Sequence, residues 1–232
     1  MEAKLIVVCV IILLCLAYGI LPTYFYKIHR YIKRNKNSKR KVIYLTFDDG
    51  PDPNYTPTLL KLLKKYDIKG TFFVLGEYVE NNPDIIKLMK DDGHTIGLHW
   101  YKHKSALIQS PTETAVNFER GINALRNLGV DVKYFRPPWG QFNLSMICKM
   151  KSLGLKVFLW DVMAEDWEMK TSKDIIKSKL EKRVFDGCTV CLHDGRGENC
   201  APAKMIQALE ELIPEWIAMG YEFKKAEDTY ER

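Results

Sequence analysis

The seventeen residues from Leu5 to Leu21 are uncharged and almost wholly apolar, and from Val42 onward the pattern becomes short apolar runs separated by amphipathic stretches. Seventeen residues at about 1.5 Å each, extended by the aromatic group Tyr24, Phe25 and Tyr26, reach the roughly 30 Å hydrocarbon thickness of a bilayer. The expectation is one N-terminal transmembrane helix. A cleaved signal peptide is its rival, since Ala17-Tyr18-Gly19 is a small-x-small site, but Lys4 and Glu2 make a poor charged leader.

Beyond Val42 the runs predict strands over Val42–Thr46, Thr71–Leu75, His94–Leu98, Val132–Phe135, Val157–Asp161, Thr189–Leu192 and Tyr221–Lys224. Helices are expected between them over Thr56–Tyr66, Pro83–Asp92, Pro111–Leu128, Ser145–Leu153, Ser172–Arg183 and Ala201–Met219. The stretch SPTETAVNFERGINAL has a proline near its start and an apolar face of period 3.6, as a helix requires. Strand-helix alternation throughout means a parallel sheet, so the fold class is α/β, a distorted barrel of about seven strands.

Charge divides the chain in the same place. Residues 1–41 carry a net charge of +8 and the remainder −2, so the overall +6 belongs to the segment around Lys27, Arg30, Lys33, Arg34, Lys36, Lys39, Arg40 and Lys41. No nucleic-acid-binding face is expected on the globular part. The run reads as a basic juxtamembrane linker on anionic headgroups. The division is thus a membrane anchor or signal peptide at 1–26, a linker at 27–41 and a globular domain at 42–232. Four of the six cysteines fall in that domain. CTVCLH with Cys200 resembles a zinc knuckle only superficially, because on a strand Cys188 points away from Cys191 and His193, and buried thiols, with one disulfide among them as the alternative, are expected instead.

The candidate chemistry gathers where strands stop. VIYLTFDDGPDP places Asp48 and Asp49 side by side at a strand mouth, where like charges repel unless a cation takes one carboxylate and leaves the other for proton transfer. His99 and His103 are four apart, a spacing that on a helical turn puts both imidazoles on one face. With an aspartate they make a His, His, Asp set with open positions, as a hydrolytic metal site needs. Arg136 precedes two rigid prolines and presents a fork suited to a carboxylate. Asp161 and Asp166 sit near Trp160 and Trp167, and His193 ends its own strand.

TFDDGP, His-x-x-x-His, RPPWG, AEDW and LHD occur here in the order and approximate spacing of the five motifs of the polysaccharide deacetylases of carbohydrate esterase family 4, which this chain resembles over residues 42–225. The resemblance implies a distorted (β/α) barrel and a bound divalent metal, zinc before cobalt or another ion. It implies that Asp49, His99 and His103 hold the metal, and that Asp48 is the general base held by Arg136. His193 would be the general acid, oriented by Asp166, and the Trp139 backbone N–H would face an oxyanion. Trp139, Trp167, Cys191 and Leu192 would line the substrate's place. Four positions depart from the pattern: Trp100 replaces a Ser or Thr, Met163 the first Asp of the fourth motif, Cys191 a Leu, and Trp139 a Tyr or Phe.

The expected activity is removal of N-acetyl groups from a glycan, a cell-envelope polymer such as peptidoglycan or a chitin-like oligosaccharide. An O-acetyl esterase and a glycan-binding pseudoenzyme are the alternatives. The expected partners are the acetylated glycan and the membrane, and the expected location is the cell membrane with the domain on the extracytoplasmic side. Flanking positive charge favours the opposite orientation, but long domains cross regardless and polymer substrates lie outside.

Overall fold

The computed structural model describes residues 2–33, 41–197 and 200–228. Helix α1 (Glu2–Cys15) and α2 (Leu21–Lys33) join through a π-helical turn at Leu16–Ile20. The resulting helix, Glu2–Ile32, is long and apolar enough to cross a membrane by length and composition. No residue of α1 is buried. The expected linker therefore begins as helix through Lys33, while residues 34–40 lie outside the described residues.

The domain alternates β1 (Val42–Asp48), α3 (Thr56–Lys65), β2 (Thr71–Leu75), α4 (Gly76–Asn81), α5 (Pro83–Asp91), β3 (Thr95–Trp100), α6 (Pro111–Arg126), β4 (Tyr134–Phe135) and α7 (Leu144–Ser152). It continues with β5 (Lys156–Val157), β6 (Val162–Met163), α8 (Lys173–Arg183), β7 (Cys188–His193), α9 (Ala201–Ala218) and β8 (Glu222–Lys224). Helix starts follow local chemistry. Ser110 and Glu113 form a reciprocal capping box on α6 with Pro111 behind it, and Asn143 caps α7 through Met146 N.

The wall of the barrel runs β5-β4-β3-β2-β1-β7-β6, every pair parallel, and is open between β5 and β6. The strand count matches the expectation, but its membership differs. The segment expected as one strand, Val157–Asp161, ends at Val157 and a separate strand follows at Val162, whereas β8 only pairs with the start of β1. β2 and β3 are buried at every position, which is why they read as continuous apolar runs. The main core lies between sheet and helices, and a small inner cluster of Phe73, Tyr134 and Ala226 fills the barrel with Phe158 against it.

Helix α2 docks on this wall. Tyr18 Oη donates to Gln109 O at 3.0 Å, and Gly19 sits so close to Leu107 that an added Cβ would lie 2.8 Å from Leu107 Cδ2. Thr23 Oγ1 both donates to Phe142 O (3.1 Å) and accepts from Phe142 N (2.8 Å), and Tyr26 stacks on the Phe142 ring at 4.2 Å. Arg30 Nη2 reaches Asp161 Oδ2 at 2.5 Å and Thr189 Oγ1 at 3.1 Å. Residues 19, 23, 26 and 30 recur every three or four positions, so one helical face makes all the contacts.

Candidate active site

The β1–β7 register sets Asp48 directly opposite His193, so two strand ends deliver their last side chains at one level. Asp48 faces inward like Thr46, in keeping with strand alternation. Asp49, the next residue, adopts a left-handed φ of 70°. That turn, unfavourable for a residue with a Cβ and found mostly at functional positions, sends the adjacent carboxylates in different directions.

Asp49 Oδ1 lies 3.3 Å from His99 Nε2 and 3.4 Å from His103 Nε2, and it is buried with no hydrogen-bond partner among the described residues. Ligands at about 2.0–2.1 Å from a tetrahedral ion stand roughly 3.3–3.4 Å apart, the spacing Asp49 Oδ1 has to each imidazole, and the three residues offer ligand atoms all within 4.8 Å of one another. Burial lowers the pKa of His99 against the opposing pull of Asp48 and Asp49, and burial with the neighbouring His99 brings His103 down to about 3. Both imidazoles are then neutral, the ligating form. Burial also raises Asp49, with His99 and His193 opposing it. A carboxylate so desolvated fits a cation, and Asp49, His99 and His103 are the residues to hold one.

The histidine pair does not use a helical turn. His99 is on β3 and His103 is in the loop beyond it. Trp100 between them has φ 127°, and that bend carries the chain round to bring the second imidazole back. The Trp100 ring is fully buried, packs edge-on against Phe118 at 4.7 Å and donates through Nε1 to Gln109 Oε1 at 3.3 Å. An indole thus anchors the loop where the family pattern has a Ser or Thr hydroxyl.

Asp48 accepts from Arg136 Nη1 at 2.6 Å and from Cys191 Sγ at 3.3 Å. Burial alone would raise its pKa, but Arg136 first, then His99, His193 and the Cys191 hydrogen bond, hold it below the usual carboxylate value. Arg136 is itself fully buried, donating to Phe158 O (2.7 Å) and Thr46 Oγ1 (2.8 Å) with its guanidinium carbon 4.2 Å from the Phe73 ring centroid. Asp48 is therefore ionised beside the triad, with its proton-accepting oxygens unclaimed by the two imidazoles.

Across the cleft Asp166 Oδ1 lies 3.1 Å from His193 Nδ1, and its Oδ2 accepts from His193 N at 2.8 Å. Burial would lower the His193 pKa, but the charge and hydrogen bond of Asp166 outweigh it and lift it to about 9. The imidazolium is thus the neutral-pH form, with Nε2 as its remaining donor. The loop that places Asp166 is pinned by Glu165, paired with Lys179 at 2.6 Å and Arg183 at 2.7 Å.

These groups share a cleft of about 860 Å³ whose walls include Trp139, Trp160, Trp167 and Met163. Trp139, with φ 54°, lays its ring 4.2 Å from His103, and Trp167 stands 4.9 Å from His193. Cys191 lines the cleft, its thiol pKa pushed up chiefly by burial, so it is a neutral donor. Leu192 does not line it. Strand alternation turns its side chain the other way, into the core between sheet and helices. No disulfide joins the six cysteines, all of them among the described residues; Cys188 and Cys191 are buried as expected, whereas Cys148 and Cys200 are exposed.

Sequence reasoning missed the brace beneath the triad. Asp194 Oδ2 accepts from Thr56 Oγ1 at 2.6 Å, and burial pushes the Asp194 pKa up to about 7 even though that hydrogen bond lowers it. A Cβ on Gly50 would stand 2.3 Å from Asp194 Oδ2, and one on Gly195 would stand 2.2 Å from Asp49 O. The glycine in Asp-Gly-Pro reads as a turn residue, and nothing near it signals that a distant carboxylate fills the space. Asp161, a site candidate by sequence, is instead the partner of Arg30, and Lys27 joins the cleft lining.

Residues 35–158 match the family model described as polysaccharide deacetylase. The chain is 32% identical over 200 residues to the peptidoglycan-N-acetylmuramic acid deacetylase of Bacillus subtilis, covering 83% of this chain and 72% of that one. It is 32% identical over 195 residues to a peptidoglycan-N-acetylglucosamine deacetylase of Bacillus cereus, covering 83% and 90%. A crystal structure of a peptidoglycan N-acetylglucosamine deacetylase superposes with a TM-score of 0.77 at 29% identity, covering 83% of this chain and 89% of that one.

Proposed function

The chain belongs to the polysaccharide deacetylase family, and from that premise we propose that it is a metal-dependent hydrolase removing N-acetyl groups from a cell-envelope glycan of the peptidoglycan kind. The observation that carries this reading is the division of labour between neighbours. Asp49 faces two neutral imidazoles at ion-binding spacing, while Asp48, bonded to Arg136, is left free to take a proton.

Asp49, His99 and His103 would hold a divalent ion, zinc before cobalt, which when bound would supply Lewis acidity and make a water acidic enough to react near neutral pH. Amide hydrolysis joins a water oxygen to the acetyl carbon and breaks the carbon-nitrogen bond. Asp48 takes the proton that water gives up, in keeping with its lowered pKa. The sugar amine leaves only when protonated, and His193, at about 9, carries that proton at neutral pH. Asp166 fixes the imidazole by two contacts and stabilises its charge. The Trp139 backbone N–H is the proposed oxyanion donor, and the Trp139 and Trp167 rings offer faces for sugar stacking. The products are acetate and the free amino sugar.

The apolar helix is proposed to hold the enzyme in the cell membrane, with the catalytic domain on the extracytoplasmic side where such polymers lie. Acetate release from N-acetylglucosamine oligomers and from purified cell-wall glycan tests the reaction. Release by the full chain, abolished by a chelator, restored by Zn(II) and absent in Asp48→Asn, is the expected result. Release from an acetylated xylan but from neither N-acetylated glycan would overturn it in favour of an esterase.

A further inference from the structure

The cleft has one wall that does not come from the barrel. Among the described residues preceding β1, Lys27 alone lines it. The docked face of α2 explains how it gets there. Lys27 follows Thr23 by four and precedes Arg30 by three, so the contacts of Thr23 with Phe142 and of Arg30 with Asp161 fix the helix on either side of it. Its stem lies against the RPPWG loop and Trp160. A Cβ on Gly140 would meet Trp160 Cη2 at 3.1 Å and Lys27 Cε at 3.4 Å.

An ammonium held this way is accessible, since Lys27 is exposed, and none of the described carboxylates forms an ion pair with it. By contrast, Lys64, Lys173, Lys177 and Lys179 all pair with carboxylates at 3.1 Å or less. Outside the catalytic set the charged groups of the lining are Lys27, Lys170 and Arg196 against Glu168. An acetamido group is neutral and asks for none of this excess. A second group on the same substrate, anionic and near the acetylated sugar, does.

We propose that Lys27, carried into the cleft by the helix that follows the apolar segment, binds a carboxylate on the glycan within one sugar of the acetamido group under attack. A lactyl ether carboxylate of muramic acid is a ligand of this chemistry, and a carboxylate of an attached peptide is another source. This rests on the deacetylase reading and narrows it to acidic glycans. A Lys-carboxylate contact of the charge-assisted kind contributes about a factor of ten in binding.

The test compares the full chain with Lys27→Met, which keeps the apolar stem, and Lys27→Glu. Three substrates are needed: a neutral N-acetylglucosamine oligomer, a peptide-free glycan bearing lactyl carboxylates, and the same glycan with its peptides. The expected result is a KM about tenfold higher in Lys27→Met on a carboxylate-bearing glycan, larger in Lys27→Glu, with kcat and the neutral oligomer unaffected. The glycan that responds identifies the source of the carboxylate. Equal effects on neutral and acidic substrates, or no effect on any, would overturn the assignment while leaving the deacetylase reading intact. If the unmodified chain turns over none of the three, both fall together.

Discussion

Arg136 Nη1 stands 2.6 Å from Asp48 Oδ1, with both side chains almost wholly removed from solvent. The pair links the fourth strand to the first through the middle of the barrel, and it decides the protonation of the base. Arg136→Met leaves a buried carboxylate with Cys191, His99 and His193 near it but without its closest positive charge. Burial, already the largest influence on Asp48, then raises its pKa. The acidic limb of the rate profile should move up, kcat at neutral pH should fall by roughly 10²-fold or more, and stability should drop by about 3–5 kcal/mol. A variant with an unmoved acidic limb would remove Arg136 from this role.

The Asp166–His193 pair sets the opposite limb. With His193 at about 9, the acid is charged through neutral pH and activity declines only as pH rises through that value. Linkage runs the same way. A folded pKa raised above the ordinary 6.5 adds stability that is complete below 6.5 and disappears as pH climbs through about 9. In Asp166→Asn the main opposition to burial is gone and only the charges of Asp49 and Asp48 still raise the pKa, so the alkaline limb should move down from about 9. Rate against pH for the two proteins checks this directly.

Arg30 and Asp161 give a test of the docked helix. The Asp161 side chain is 3% exposed and, among the described residues, takes its only ion-pair partner from α2, keeping the Thr189 backbone N–H at 2.9 Å besides. Arg30→Ala strands that carboxylate, at a cost of about 3 kcal/mol, read as a lower urea midpoint. The double variant Arg30→Ala, Asp161→Asn should recover most of the loss, because the uncompensated charge is gone.

Gly195→Ala should disable the metal site without touching a ligand. Its Cβ would lie 2.2 Å from the Asp49 carbonyl oxygen, a backbone atom that cannot swing aside. The Asp49 turn must shift, and the 3.3–3.4 Å spacing to His99 and His103 goes with it. Equilibrium dialysis against Zn(II) should show affinity down by an order of magnitude or more, with near-normal circular dichroism.

Much of this was legible in the chain. The buried parallel strands announce themselves as apolar runs, and α6 begins at a Ser-Pro-x-Glu sequence that could hardly do anything else. Asp48, Asp49, Arg136, Asp166 and His193 were found because chemistry collects at strand ends. Other features depend on partners far away in sequence. Two-residue strands such as β5 and β6 have no periodicity to detect, so the break after Val157 was invisible. The fit of Gly50 to Asp194, the turning of Leu192 into the core and the bend at Trp100 are packing outcomes. So is α2, whose polar positions look like the end of an anchor at Thr23 and a linker at Lys27 and Arg30 until the barrel they contact is in place.

Fastened at Thr23, Tyr26 and Arg30, and at Tyr18 in the π-helical turn before it, α2 behaves as a strut. Lys27 is six residues beyond Leu21, about 9 Å along the axis, whereas a flexible tether over residues 27–41 would let the cleft roam roughly 20 Å. Whatever fixes the apolar segment therefore fixes the height at which the enzyme works. A sugar is presented at an effective concentration governed by its own position, not by the swing of the protein.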